Sequence, residues 1–241
     1  MRMRKKKNGN ARLMACAEFL LENMGKPMSD PAEAMDMAGA PVFLEIGAGK
    51  GGFATEMARQ NPDAAYFAME RVSDCVVLAA ELAKRTRELR GDNLRFIVDT
   101  ADNLAQLFEK GTVDKIFLNF SDPWSKKGYA KRRLTHRRYL SLYLNLLKDG
   151  GTVTFKTDND ALFDFSLEEI AAIGLTPAVV TRDLHDSPYN EGNVVTEYER
   201  AFSEAGKNIN MLCLVKPHGF KIDIDEGFLK KHVRSTEEDA K

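Results

Sequence analysis

Short apolar runs alternate with longer segments of helical spacing through the middle of the chain. The first run is continuous and β-favouring, it is closed by glycines, and a segment with helical spacing follows it. The unit then repeats, and because each strand returns through a helix, the pattern predicts strands that lie parallel to one another. The predicted strands are VFLEI, AYFAME, LRFIV, DKIFLNF and TVTFKT, and the predicted helices between them are GGFATEMARQ, SDCVVLAAELAKRTREL, DNLAQLFEKG and LTHRRYLSLYLNLLK.

The rest of the pattern completes the predicted sheet. Ser73 is expected to cap the second helix, and Asp149-Gly150-Gly151 is expected to end the fourth. The run DKIFLNF is typical of a parallel strand buried on both faces, which places the centre of the sheet there. After a further helix over ALFDFSLEEIAAIG, the segments AVVTRDL, VVTEYERAF and INMLCLVK are predicted as strands. We therefore expect an α/β protein with a mostly parallel sheet, an antiparallel edge and helices on both faces.

Composition narrows the class of protein. The chain has 241 residues, 44% of them hydrophobic and 29% charged, which suits one soluble folded core and not a disordered or fibrous chain. No apolar run approaches the roughly 20 residues that span a bilayer, and the start of the chain lacks the apolar segment of a signal peptide. Cys16, Cys75 and Cys213 have neither a zinc-site nor a disulfide spacing. We expect a cytoplasmic protein with no membrane segment and no metal.

Two basic clusters interrupt an otherwise balanced charge. The net charge is -1, but six of the first twelve residues are Lys or Arg, and seven more lie between Lys126 and Arg138 with no acid among them. The first cluster predicts a mobile arm, either solvated or in contact with phosphates. The second favours phosphate binding, with Tyr129 and His136 available for stacking or hydrogen bonding. We divide the chain into an arm and lead-in helix (1–40), a central domain (41–217) and an extension or tail (218–241).

A candidate cofactor site follows the first strand. Gly47 and Gly49 allow a tight turn and let a ligand approach bare backbone at the carboxyl edge of the sheet. Glu70 closes the second strand, where a carboxylate can accept both ribose hydroxyls of an adenosine. Glu45 would repel a pyrophosphate but suits the amino-bearing methionine part of S-adenosylmethionine. At the end of the third strand, Asp99, Thr100 and Asp102 are the candidates for an adenine contact.

A candidate acceptor loop follows the fourth strand. It reads Asn119-Phe120-Ser121-Asp122-Pro123-Trp124 and continues into Ser125-Lys126-Lys127. Pro123 prevents continuation of the strand, so Asp122 is expected at the carboxyl end of a central strand, beside the glycine loop. The alternative is a buried aspartate that caps the loop, with the single tryptophan packed on the core.

At this point the chain resembles a known family. The motifs LEIGAGKGGF, MER, LNFSDPWSKK with KRRL, FKTDN and TEYE occur in the order found in bacterial tRNA guanine-N7 methyltransferases, over residues 41–217. The glycine loop marks only the superfamily, whereas the later motifs together are specific. The resemblance implies a Rossmann-like class I fold with a seven-stranded sheet, and transfer of a methyl group from S-adenosylmethionine to N7 of a guanine in the tRNA variable loop.

The resemblance also implies roles for individual residues. Glu45, Glu70 and Asp122 match cofactor contacts, and Asp122 matches the proposed catalytic acid. Thr100 matches a further cofactor contact that is usually an acid. Positions 121, 125 and 128–130 depart from the usual PDPWPKKRHHKRR pattern. The implied substrate-binding residues are Lys126, Asp158, Thr196, Glu197, Tyr198 and Glu199, and the implied RNA-contacting residues are Gly128, Tyr129, Ala130, Lys131, Arg132 and Arg133.

Three other functions are open on sequence grounds. NFSDPW resembles the Asn/Asp-Pro-Pro-aromatic loop of methyltransferases that act on exocyclic base amines, but it lacks the second proline. A nicotinamide-dependent dehydrogenase would share the glycines and Glu70, yet no hydride-site His or Tyr-Lys pair stands out. A non-catalytic RNA-binding subunit would not need the complete set of matched acids. The expected partner is tRNA, and the protein is expected to be a monomer or a homodimer.

Overall fold

Seven strands form one sheet in the order β3-β2-β1-β4-β5-β7-β6. The computed structural model describes residues 6–22 and 25–223. β1 to β5 are parallel, and β7 is antiparallel to both β5 and β6, which confirms the predicted sheet. The strands are β1 Val42–Ile46, β2 Ala65–Met69, β3 Leu94–Ile97, β4 Val113–Asn119, β5 Leu147–Thr157, β6 Val179–Thr181 and β7 Asn210–Val215.

Helices cover both faces of the sheet, as predicted. On one face Phe43, Tyr66 and Phe117 pack among the helices that follow β1 and β2. On the other face Leu44 and Phe67 lie in a larger cluster with the helices that follow β4 and β5. The helices are α1 Gly9–Met14, α2 Gly52–Gln60, α3 Ser73–Arg85, α4 Arg87–Arg90, α5 Leu104–Leu107, α6 Arg137–Leu146, α7 Asp160–Ala172 and α8 Glu197–Glu204.

The predicted strand VVTEYERAF is wrong, because its second half is the helix α8. Thr196 accepts a hydrogen bond from the backbone N–H of Glu199, and the Glu199 side chain accepts one from the backbone N–H of Thr196. This reciprocal pair is a capping box, which starts a helix whatever the strand propensity of the preceding valines. The TEYE motif therefore lies at a helix N-terminus.

Two predicted helix boundaries also differ from the structure. Ser73 is the first residue of α3 and makes no capping bond; the Glu70 carboxylate accepts the free N–H of Val72 instead. α6 ends at Leu146, and β5 starts directly after it and includes Asp149 and the two glycines. A bulge between β4 and β5 accommodates those residues, so the glycines mark a turn within a strand and not the end of a helix.

The two ends of the chain pack on the domain where the structure describes them. Arg12 on α1 forms a bidentate pair with Glu81 of α3, so the second half of the N-terminal basic cluster (residues 1–12) is a short docked helix and not a mobile arm. Residues 1–5 of this N-terminal cluster lie outside the described residues. Phe220 and Ile222 pack against the core, and residues 224–241 of the predicted extension lie outside the description. Within the described ranges no helix is long and apolar enough to cross a bilayer, and no cluster of acids, histidines or cysteines is arranged to hold a metal.

Candidate active site

The glycine loop and the end of β2 form one unit. The backbone takes positive φ angles at Gly47 and Gly49, 86° and 55°, which favour glycine. The N–H of Gly47 donates to the carbonyl oxygen of Met69 at 2.8 Å, and the N–H of Gly49 donates to the Glu70 carboxylate at 3.1 Å. A Cβ added at either glycine would meet nothing within 4 Å. The loop therefore leaves open space against the backbone, with a half-exposed carboxylate at its rim.

Glu45 is a buried carboxylate with a free acceptor atom. Its residue is 2% exposed, and its Oε1 accepts a hydrogen bond from Asn119 at 3.0 Å. Its Oε2 is buried and has no hydrogen-bond partner among the described residues. Burial raises the pKa of Glu45 to about 7. A buried acceptor of this kind fits a ligand that brings N–H groups or positive charge.

These residues fit S-adenosylmethionine. The open glycine loop and Glu70 suit its ribose, and Glu45 suits its amino-bearing end. Of the three adenine candidates, Asp99 accepts bonds from its own loop and Asp102 accepts one from Tyr139. Thr100 follows β3 and is exposed. Its side chain makes no hydrogen bond to the short helix that starts after it.

Asp122 projects into solvent from a constrained loop. Phe120 and Trp124, on either side of it, have φ angles of 51° and 41°, a left-handed conformation that is uncommon for bulky residues. The Asp122 side chain is 67% exposed, and the Arg71 guanidinium lies 3.4 Å from its carboxylate. The alternative of a buried capping aspartate is therefore wrong. Arg71 follows Glu70 directly, so this pair bridges the cofactor side and the acceptor side.

An aromatic stack lies behind the acceptor loop. Phe120 stacks on Tyr198 and on Phe202 of α8, with ring centroids 6.4 Å and 6.0 Å away. Tyr198 is 58% exposed, and its ring also stacks on that of Phe202, with centroids 6.5 Å apart. Its neighbour Glu197 pairs with Lys50 of the glycine loop at 2.9 Å. The start of α8 is thus next to both the cofactor loop and Asp122.

A buried network fixes the start of α8. The ammonium of Lys156, near the end of β5, donates to the Glu199 carboxylate at 2.6 Å and to the Asn193 side chain and the Val194 carbonyl at 3.0 Å. The Glu199 carboxylate also accepts a bond from Asn193 and contacts His185 at 2.9 Å. Burial alone would raise the pKa of Glu199, but the charge and hydrogen bond of Lys156 hold that pKa below its usual value. Glu199 is therefore an ionised, saturated anchor.

The predicted substrate-binding residues have different environments. Asp158 is half-buried and pairs with the exposed Lys207 at 2.9 Å, and Lys126 is exposed at the start of the basic segment. Thr196 is buried as the cap of α8. Glu197 and Tyr198 are exposed, whereas Thr196 and Glu199 hold the helix that presents them.

The second basic cluster, from Lys126 to Arg138, is the basic segment next to the acceptor loop, and it contains a 3-10 helix over Lys127–Arg132. Within it Gly128, Tyr129, Lys131 and Arg132 are exposed, and Ala130 is half-buried. The Arg133 guanidinium makes an intramolecular contact that the sequence does not predict: it donates to the carbonyl oxygens of Pro123 and Trp124 at 2.9 Å and 3.1 Å. That side chain ties the segment to the Asp122 loop.

Sequence reasoning missed four side chains of this site: Lys50, Arg71, Phe120 and Lys156. Lys50 and Arg71 stand beside predicted cofactor residues, and that adjacency was a usable signal. Lys156 interrupts the apolar alternation of TVTFKT, and a lysine inside a predicted buried strand requires an ionic partner. Phe120 carried no signal, because its ring contacts depend on the position of α8.

Comparisons with known proteins agree with this geometry. A family described as "Putative methyltransferase" matches residues 39–212. The tRNA (guanine-N(7)-)-methyltransferase of Bacillus subtilis is 39% identical over 198 residues, which cover 80% of this chain and 91% of that protein. The enzyme of the same name from Lachnoclostridium phytofermentans is 46% identical over 172 residues, 71% of this chain and 79% of that protein.

Solved structures share the fold at low identity. The 16S rRNA methyltransferase KamB superimposes with a TM-score of 0.55 at 15% identity, over 73% of this chain and 87% of that chain. An antibiotic-related methyltransferase gives 0.57 at 17% identity, over 81% and 98%. These likenesses show the Rossmann-like class I methyltransferase fold alone. The sequence relatives, at 39% and 46% identity over most of the chain, show that the chain belongs to the tRNA (guanine-N7-)-methyltransferase family, whose members depend on S-adenosylmethionine.

Proposed function

We propose that the protein transfers the methyl group of S-adenosylmethionine to N7 of a guanine in the variable loop of tRNA. The observation that carries this proposal is the meeting of three elements at the carboxyl edge of the sheet: the glycine loop with Glu70, the loop that presents Asp122, and the start of α8. The ion pairs Arg71–Asp122 and Lys50–Glu197 connect these elements. A base held against Tyr198 would lie next to the Asp122 loop, whose Phe120 stacks on Tyr198, and next to the glycine loop, whose Lys50 pairs with Glu197.

The cofactor role is divided among the residues around the glycine loop. Glu70 accepts the ribose hydroxyls, Gly47 and Gly49 let the cofactor lie against the backbone, and Thr100 borders the adenine. Glu45 accepts hydrogen bonds from the amino group of the methionine part, which partners its buried Oε2. When bound, S-adenosylmethionine supplies an electrophilic methyl group on a sulfonium.

Alignment of the base dominates the proposed catalysis. Guanine N7 has an in-plane lone pair and no proton, so no side chain has to remove a proton before attack. Tyr198, supported by Phe120, stacks on the base. Glu197 and Asp158 accept hydrogen bonds from the N1–H and amino edge that distinguishes guanine from adenine. Lys50 and Lys207 keep those two carboxylates in place before the base arrives.

Asp122 stabilises the charge that develops during transfer. The methylated guanine is cationic, and the exposed Asp122 carboxylate would stabilise that charge more strongly once bound tRNA excludes water from it. The Arg71–Asp122 ion pair links the Asp122 loop to the end of β2, and we assign Asp122 a contact with the cofactor as well. The Glu199 carboxylate is saturated, so we assign it to the support of α8 and not to the guanine edge.

The exposed lysines of the basic segment bind the tRNA backbone. Lys126, Lys127 and Lys131 are exposed next to the acceptor loop, where they can neutralise phosphates. Affinity for tRNA should therefore fall with rising salt concentration. We infer that the protein acts in the cytoplasm, where tRNA is, and a site built from one chain is compatible with either a monomer or a homodimer.

The test is the substitution Asp122→Asn. It keeps the shape of the side chain and removes its charge, so turnover should fall about 100- to 1,000-fold, as on loss of one electrostatic stabiliser. Binding of S-adenosylmethionine and of tRNA, measured by calorimetry and filter binding, should change much less. Asp164→Asn is the matched control, because Asp164 is also exposed and paired with an arginine, on α7. Unchanged turnover of the Asp122 variant with both ligands bound would remove Asp122 from the mechanism.

A further inference from the structure

Trp124 and Tyr129 form an aromatic corner beside the acceptor loop. Their rings meet edge to face, with centroids 5.8 Å apart and an angle of 81° between the planes. The Arg132 guanidinium lies over both rings, 5.1 Å from the Trp124 centroid and 4.6 Å from that of Tyr129. Tyr129 is 40% exposed and Trp124 is half-buried. The two aromatic rings and the guanidinium form one continuous surface. Trp124, its first member, is two residues from Asp122 in the chain.

The backbone holds this corner in a costly conformation. Trp124 has a φ of 41°, in the left-handed region that bulky side chains avoid. Arg133 maintains the arrangement, since its guanidinium donates to the carbonyl oxygens of Pro123 and Trp124. Backbone strain of this kind persists where surrounding contacts fix it, and it concentrates at ligand clamps. The bonds from Arg133 therefore hold the backbone that carries the indole in one conformation.

The charge around the corner selects the class of ligand. Lys126, Lys127 and Lys131 are exposed beside it, and the segment from Lys126 to Arg138 contains no acid. Aromatic faces within a basic groove are the usual surface for single-stranded nucleic acid, because bases stack on the rings while lysines meet the phosphates. A phosphate alone would not need the indole, and a metal cation would be repelled.

We propose that Trp124, Tyr129 and Arg132 form a second base-binding site, which stacks an unpaired nucleobase adjacent to the target guanine. The base stacks on the Trp124 indole in place of the Arg132 guanidinium, with the Tyr129 ring against its edge, because the two rings are nearly perpendicular, and Arg132 turns to the adjoining phosphate. This site is separate from the one formed by Phe120 and Tyr198, which receives the guanine to be methylated. The proposal rests on the proposed function, because it assigns the neighbour of the same substrate nucleotide.

Fluorescence tests this site directly, since Trp124 is the single tryptophan of the chain. Titration with unmodified tRNA should quench its emission, because stacking on a base quenches an indole. Inorganic polyphosphate, which has charge but no bases, should leave the emission unchanged. A tRNA with one abasic nucleotide on either the 5′ or the 3′ side of the target guanine should lose the quenching in one of the two cases. Equal quenching by both abasic tRNAs and the intact tRNA would overturn the proposal.

Substitutions give a second readout. Trp124→Ala should raise the Kd for tRNA roughly 5- to 150-fold, the range for loss of one stacked base, and Trp124→Phe should recover part of it. Tyr129→Ala should act in the same direction and covers the case in which the Trp124→Ala variant does not fold. Tyr189→Ala is the matched control, because Tyr189 is 46% exposed and lies on the loop between β6 and α8. Affinity for S-adenosylmethionine should stay within twofold in all four variants.

Coupling separates stacking from a merely structural role. With the abasic tRNA that loses quenching, Tyr129→Ala should cause little further loss of affinity, because the stacked base is already absent. An equal loss on intact and abasic tRNA would contradict the second site. If N7 methylation proceeds normally without quenching or coupling, this proposal fails and the proposed function stands. If no tRNA guanine is methylated at N7, the proposed function fails instead.

Discussion

Replacing Lys156 by methionine should destabilise the protein more than any surface substitution. The side chains of Lys156 and Glu199 are 4% and 0% exposed, and the ammonium donates to three acceptors. Methionine keeps the length of the side chain but leaves the Glu199 carboxylate buried without its counter-charge. Removal of one partner from a buried ion pair typically costs about 3 to 5 kcal/mol.

The remaining contacts of Glu199 place this substitution near the lower end of that range. Asn193 still donates to the carboxylate at 2.6 Å, and His185 still contacts it. A loss of about 3 kcal/mol corresponds to a fall in Tm of roughly 6 to 12 °C for a domain of this size. Because the network holds the start of α8, the KM for tRNA should also rise.

Urea unfolding measured by circular dichroism is the assay. Lys148→Met is the matched control, because Lys148 lies on the same strand and pairs with Asp114 at an exposed site; it should cost less than about 1 kcal/mol. The double variant Lys156→Met with Glu199→Gln should recover part of the loss, since no buried charge is left unpaired. A loss below about 1 kcal/mol for Lys156→Met, or no coupling in the double variant, would refute the reasoning.

Two further substitutions test the cofactor loop in the cofactor-free protein. Burial raises the pKa of Glu45 from 4.5 to about 7, so the stability that the protonated carboxyl contributes is lost as the pH rises through 7. The unfolding free energy of Glu45→Gln should therefore exceed that of the wild type, and the difference should grow by roughly 3 kcal/mol between about pH 5 and pH 8. A difference that does not change with pH would contradict the raised pKa of Glu45. Gly51→Ala should lower the unfolding free energy by more than about 1 kcal/mol, because φ is +77° and the new Cβ would lie 2.7 Å from that of Ala79. Gly52→Ala should leave the unfolding free energy nearly unchanged, because a Cβ there would lie in open space. Equal losses in the two alanine variants would show that neither the positive φ of Gly51 nor the close contact with Ala79 affects stability.

The sequence was sufficient for the parts of the fold that depend on local pattern. VFLEI, AYFAME and DKIFLNF are strands within a residue or two of prediction, because the first two are buried along their whole length and the third has a buried apolar centre over residues 116–118. The glycine loop could be placed for a similar reason, since positive φ angles there require glycine. Glu70 followed from its position at the end of a strand.

The parts that depend on distant contacts could not be placed. The segment VVTEYERAF is predicted as a strand, but the capping box of Thr196 and Glu199 starts a helix there. The partner of Lys156 is 43 residues further along the chain, and no local pattern connects the two. Arg133 belongs to a charge run that predicts contact with phosphates, and no local pattern indicates that its guanidinium also donates to the backbone of the Asp122 loop. The orientation of the acceptor site is therefore a product of tertiary structure.

The most direct test of the central claim is methyl transfer from labelled S-adenosylmethionine to unmodified tRNA, with the modified nucleoside identified by chromatography and located by cleavage at N7-methylguanosine. The account predicts N7-methylguanosine in the variable loop, made by the wild type and almost absent with Asp122→Asn. Label on an exocyclic amine, or bound cofactor with no transfer to any tRNA, would contradict it.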